Sequence, residues 1–264
     1  MEFCNFSTTT INGIVTAFEK TFSIDRSAFV ASYSFFCDCF ENTDAHLSYV
    51  MPHLNRSQIQ PITNDSLFIT KYNDTNYYLG IDLPIYISKP GNIKNVVVVA
   101  EDPLRNPADP LISASKEYAL LGTPFATHLE SMRRALKEYW DFHHELLNNG
   151  FNVYITDINK IWLKATTGTK ENIPGDLAEG FKQTLQAEIN LLQPDLLVVY
   201  GKKAANAIDS MELQISAKRL MFPHPSRTAN GTWKKLFSTH YPNVEKNCSS
   251  INKVAYMIEK TLAI

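Results

Sequence analysis

The apolar positions of this chain change rhythm near residue 94. In "VVVVAEDPLRNP" (96–107) four consecutive valines run into an acidic pair and then a proline. An uninterrupted β-branched run fits a strand covered on both faces, as in a parallel sheet. Similar runs recur in "GFNVYITDI" (150–158) and "PDLLVVYG" (194–201), and "AKRLMFPHP" (217–225) predicts a fourth strand. Between and after them, segments 124–149, 176–192, 202–211 and 249–263 read as helices. In one of these, Leu177, Phe181, Leu185, Ile189 and Leu192 share a face. Strands separated by helices predict an α/β fold whose parallel sheet is covered on both sides.

Residues 1–93 read differently. "SIDRSAFVASYSFFCDCF" (23–40) predicts a capped helix with an aromatic face. "SLFITKY" and "NYYLGIDLPIYI" (66–87) predict a strand pair around the turn-forming "NDTN". "KPGN" at 89–92 reads as a boundary. The expected organisation is an N-terminal α+β extension over 1–93 and a main domain over 94–264.

Composition narrows the partners. Over 264 residues the net charge is −2, so no global basic field advertises nucleic acid, although a local basic groove is enough to bind it. Cys4, Cys37, Cys39 and Cys248 show no C-x-x-C spacing and no histidine cluster beside them, which argues against a zinc site. Without a signal peptide, reduced thiols and a cytoplasmic location are expected. No apolar run approaches the roughly 18 residues of a membrane span.

In open parallel sheets the chemistry sits beyond the carboxyl ends of the strands. The predicted strands end at Asp102, Asp157, Gly201 and His224, so these groups converge on one rim. A carboxylate facing a histidine across a cleft is a general base–electrophile arrangement. Taken singly, each residue also fits a turn or a cap.

In order, however, "AEDP" (100–103), "LGTPF" (121–125), "NVYITDINK" (152–160), "PDLLVVYGKKAANAI" (194–208) and "PHPSR" (223–227) resemble the successive motifs of the uracil-DNA glycosylase superfamily. The resemblance covers about residues 94–262, and its third and fourth motifs are most similar to the thermostable branch. It implies a three-layer α/β/α fold with a central four-stranded parallel sheet. It also implies a monofunctional enzyme acting as a monomer on a flipped base in DNA, without a cofactor. Asp102 would orient water and stabilise the cationic sugar, and His224 would donate to the base O2, where charge accumulates on departure. Phe125 would stack on the base, with Glu101 beside it. Ser226 would hold a phosphate. Arg227 would fill the vacated stack or join Lys234 and Lys235 on the backbone.

Three departures from the family pattern carry information. Asp157 stands where the family has the asparagine that reads uracil. An ionised aspartate accepts from a cytosine N4 amino group, and a protonated one also donates to N3; uracil presents the reverse edge. A slip of one position would instead assign base reading to Thr156 or Asn159. Leu104 replaces a tyrosine that in the classical branch blocks C5 of the pyrimidine, which admits a 5-substituent. Ile161 stands where the thermostable branch has a cluster cysteine, so no iron–sulfur cluster is expected. An enzyme removing plain cytosine would destroy its own genome. A 5-modified cytosine, such as the glucosylated hydroxymethylcytosine of phage DNA, removes that conflict and implies a role in antiviral defence. Uracil repair and a catalytically silent nucleic-acid binder stay open beside it.

Overall fold

The computed structural model describes residues 1–41, 53–101, 118–166, 168, 170–213, 215–243 and 247–263. The N-terminal third contains β1 (Glu2–Phe3), α1 (Thr8–Phe18), β2 (Phe22–Ile24), α2 (Arg26–Glu41), β3 (His53–Asn55), β4 (Ile59–Pro61), α3 (Ser66–Asn73), β5 (Tyr77–Asp82) and β6 (Ile85–Ser88). Then follow β7 (Lys94–Ala100), β8 (Tyr118–Gly122), α4 (Glu130–Ala135), α5 (Lys137–Asn148), β9 (Phe151–Asp157) and β10 (Ile161–Ala165). The chain closes with α6 (Gly175–Leu192), β11 (Leu196–Tyr200), α7 (Gly201–Asp209), β12 (Lys218–Phe222), α8 (Asn230–His240) and α9 (Ser250–Leu262).

The central sheet has the order β1-β6-β9-β7-β11-β12. Strands β9, β7, β11 and β12 are mutually parallel, as the valine-rich runs predict. Val96–Val99, all of β9 and all of β11 are buried, because helices cover the sheet on both faces. β12 is an edge strand, and its exposed Lys218 and Arg219 discourage pairing with another sheet. From β7 the chain crosses to β9 on one side, then returns past β7 to β11 and β12 on the other. The ends of β7, β9 and β11 therefore form a topological switch point, where open α/β sheets bind their ligands.

The sheet is larger than the expected four strands, because β6 adds antiparallel to β9 and β1 adds antiparallel to β6. A second sheet, β10-β5-β8-β3, lies beside it. The expected division at residue 93 has no counterpart in the packing. β6 before it and β7 after it flank the same strand, and one hydrophobic core runs from Phe3 to Met257. Helix α1 lies against α6, where Thr184 Oγ1 donates to Ala17 O at 3.0 Å, and Phe22 of β2 lies 5.7 Å from Phe181. Gly180 permits that approach: a Cβ there would stand 2.5 Å from Thr21 Cγ2.

Two further expectations are corrected. "SLFITKY" is helix α3, capped by the Asp65 side chain accepting from Phe68 N, with Phe68 and Tyr72 buried one turn apart. Its β-branched and aromatic residues read as a strand, but the cap and the i, i+4 spacing prevail. The single helix expected over 124–149 is a tight turn at Pro124–Ala126, then α4 and α5 separated at Leu136.

Candidate active site

Asp157 ends β9 directly opposite Ala100 of β7. Beyond them Ile158 N donates to Ala100 O and Asn159 N to Glu101 O, each at 3.0 Å. The Asp157 side chain is buried, with 3 % exposure. Asp102 and Leu104 lie outside the described residues.

The turn after Asp157 is held from behind by a buried ion pair. Lys160 Nζ donates to Glu188 Oε2 at 2.7 Å and to Thr156 Oγ1 at 2.5 Å, and that hydroxyl donates to Glu188 Oε2 at 2.9 Å. Both charged side chains have 0 % exposure. Burial raises the Glu188 pKa, and Lys160 opposes the shift. Because side chains alternate along a strand, Thr156 facing Glu188 turns Asp157 to the opposite face of the sheet. Thr156 is thereby committed to the ion pair and is turned away from any base that Asp157 faces.

On that opposite face lies the loop of Phe125. Phe125 (φ 59°, ψ 15°) and Ala126 (φ 49°) are consecutive non-glycine residues in the left-handed region. Such strain persists only where surroundings over-determine it, and it gathers at functional sites. Here Ala126 N donates to Thr123 O at 2.7 Å, and Thr127 Oγ1 to Pro124 O at 2.7 Å. Arg133 Nη1 donates to Thr127 O at 2.8 Å while its guanidinium lies 4.3 Å from the Phe40 ring. Phe36 packs 4.8 Å from His128. The N-terminal helix α2 thus braces the loop that carries Phe125.

The Phe125 ring is half-buried and stacks on Tyr139 of α5, with centroids 4.1 Å apart. Tyr200, at the end of β11, meets Phe125 edge-on at 6.1 Å. His143, one turn beyond Tyr139, lies 6.0 Å from Phe125, and neither of its ring nitrogens has a hydrogen-bond partner among the described residues. Burial pushes its pKa down to about 3. The unfolded chain, with an ordinary value of 6.5, therefore binds more protons than the folded protein as the pH falls. Going from pH 6.5 to pH 5 is expected to cost about 1.5 kcal/mol of stability. Urea unfolding of His143→Leu should show this part of the slope removed; an unchanged slope would assign the acid sensitivity elsewhere.

His224 follows β12, and the backbone of its loop is fixed from two helices. Trp233 Nε1 of α8 donates to His224 O at 3.0 Å, and buried Lys253 Nζ of α9 donates to Pro225 O at 2.6 Å. Ser226 N points at His224 Nδ1 at 3.3 Å, with Ser226 Oγ at 2.8 Å. A backbone N–H can only donate, so Nδ1 is the acceptor and the proton of the neutral ring sits on Nε2. The tautomer presents a donor to the site. Tyr139 Oη lies 3.1 Å from Nδ1 and 3.4 Å from Nε2. Burial raises the Tyr139 pKa, and among the smaller causes is the charge of Asp157. Phe125 and His224 thus meet on one tyrosine.

The other expected site residues are placed less centrally. The Glu101 carboxylate accepts from Lys203 Nζ of α7 at 2.6 Å. Ser226 is half-buried and engaged with His224. Arg227, Lys234 and Lys235 are exposed on the turn and helix that follow, as phosphate contacts need to be. The cysteines are spread through the fold: Cys37 Sγ donates to Phe3 O in β1, and Cys248 Sγ to Asn230 O in α8. Sequence reasoning missed Tyr139, His143 and Tyr200. The i, i+4 spacing of the first two within an expected helix was the available signal.

A family model described as the uracil DNA glycosylase superfamily matches residues 91–245. The chain belongs to that superfamily. No curated protein matches it. The match begins just before β7, ends beyond α8 and contains Phe125, Asp157 and His224, while β1 and β6 of the same sheet lie before it. Membership of the uracil DNA glycosylase superfamily makes DNA the expected partner and DNA glycosylase chemistry the expected activity. Among the described residues, no helix is long and apolar enough to cross a membrane.

Proposed function

We propose that this protein is a monofunctional DNA glycosylase that removes a flipped, amino-bearing pyrimidine, a 5-modified cytosine such as the glucosylated hydroxymethylcytosine of phage DNA, in antiviral defence. The observation that carries this reading is the buried carboxylate of Asp157 at the end of β9, at the switch point of the sheet. A carboxylate there accepts from an exocyclic amino group and repels the keto oxygen of uracil.

In the proposed reaction the base stacks on Phe125 and water adds to C1′ as the C1′–N1 bond breaks. The sugar passes through an oxocarbenium-like state, and the electron pair leaves with the base. The Nε2–H of His224 donates to the base O2 as negative charge develops there. Asp102, on the superfamily's pattern, orients the water and accepts its proton. Leu104 leaves room at C5. Arg227, Lys234 and Lys235 hold the DNA backbone.

The test is a matched set of duplexes differing in one base, assayed with wild type and Asp157→Asn. Wild type should release the 5-modified cytosine and leave uracil in place. The amide reverses one donor–acceptor position, so Asp157→Asn should slow the first reaction by roughly 5- to 150-fold, the equivalent of about 1–3 kcal/mol, and gain activity on uracil. Efficient uracil release by wild type, unchanged in the variant, would make the protein a repair glycosylase instead.

A further inference from the structure

The groups assigned to the flipped base already converge on a side chain of the protein itself. Tyr139 is 4 % exposed. Its ring lies on Phe125 at 4.1 Å with the planes 26° apart, its hydroxyl lies 3.1 Å and 3.4 Å from the two nitrogens of His224, and it feels the charge of Asp157. A bound pyrimidine would make the same contacts, with its face on Phe125, its O2 at His224 and its edge towards Asp157. A phenol is a planar six-membered ring bearing one exocyclic oxygen, so it matches a pyrimidine in size and places an oxygen beside the His224 ring.

We infer that Tyr139 is a specificity-determining residue that occupies the base position as a surrogate pyrimidine, and that a flipped base enters by displacing it. The inference rests on the base-binding roles proposed above and adds a competitor to them.

The local structure gives Tyr139 a way out. It is the third residue of α5, which starts at the break at Leu136 (φ −105°, ψ 49°) without a side-chain cap. The preceding helix α4 buries no residue. Phe142, Leu146 and Leu147 anchor α5 farther along, and displacing Tyr139 would work against the tie of its first turn to α9, where the Glu138 carboxylate accepts from Ser250 Oγ at 3.0 Å. The consequence is selectivity by competition. A base offering only a stack and an O2 gains little over Tyr139, whereas an amino edge for Asp157 or a polar 5-substituent tips the exchange.

The rival geometry has the base on the other face of Phe125 with Tyr139 as a fixed backing wall, and it predicts effects of opposite sign. The full-length protein is compared with Tyr139→Phe and Tyr139→Ala, each checked for folding by thermal melting. One readout is the binding of free 5-hydroxymethylcytosine and of phenol, followed by NMR. The other is 2-aminopurine fluorescence beside a slowly cleaved 2′-fluoro-5-hydroxymethylcytidine in a duplex, which reports flipping.

Tyr139→Phe keeps the ring and loses the hydroxyl contact, so the flipped population should rise roughly 2- to 10-fold, the worth of one hydrogen bond. Tyr139→Ala should raise it further and should bind both free 5-hydroxymethylcytosine and phenol, which wild type excludes. Unchanged or reduced flipping in Tyr139→Phe, or a Tyr139→Ala site that takes phenol and rejects the pyrimidine, overturns the inference. Should the alanine variant fail to fold, the sign of the Tyr139→Phe effect decides by itself. Failure of the glycosylase reading shows separately, as no base release from any duplex while Tyr139→Ala still gains free-base binding.

Discussion

His224→Ala is expected to lower base release by about 10²–10³-fold, the range for losing one donor aimed at developing negative charge. The backbone of the loop has anchors besides the imidazole. Trp233 Nε1 and Lys253 Nζ hold the carbonyls of His224 and Pro225, and both contacts survive truncation of the ring. Ser226 N fixes the tautomer, so the intact ring offers Nε2–H to the leaving base; alanine removes that donor together with the ring's contacts to Ser226 and Tyr139. Single-turnover kinetics on a cleavable duplex, with DNA affinity measured in parallel, separates the roles. Reduced turnover at near-normal affinity assigns His224 to the chemical step. Lost affinity with turnover retained would make it a phosphate contact.

The second large effect concerns stability. Lys160→Met leaves the Glu188 carboxylate buried without its cation, and breaking a buried pair in this way costs about 3–5 kcal/mol. For a chain of this size the melting temperature should fall by roughly 6–20 °C. Lys160→Met combined with Glu188→Leu removes both charges and should recover most of the loss, because a buried pair replaced by packed apolar groups is often neutral. Thermal unfolding of the two single variants and the double variant forms the cycle. Losses that simply add would mean that the charges do not interact, contrary to their 2.7 Å contact and full burial. Since Thr156, next to Asp157, bonds to both members of the pair, the double variant should remain slower than wild type on its preferred base even with stability restored.

The sequence by itself determined the parallel core. Val96–Val99, "NVYITD" and "LLVVY" are uniform β-branched and aromatic runs, and only a sheet covered on both faces buries such runs throughout. The ends of those strands and the His-Pro-Ser loop were legible for the same local reason: each motif lies within a few residues and keeps its order along the chain, whereas the turn at Phe125 was read as the start of a helix. Tertiary structure decided what depends on residues far apart. Strand β6 joins the sheet because the edge of β9 lies open to it, β1 then pairs with β6, and their short stretches carry no sign of those partners. Asp65 and the spacing of Phe68 and Tyr72 turn a strand-like composition into a helix once both rings have a core to enter. Lys160 reads as a motif lysine, yet its meaning comes from Glu188, 28 residues on in helix α6. Tyr139 reads as one aromatic in a helix until folding lays it on Phe125 and against His224, contacts set by packing that no local pattern encodes.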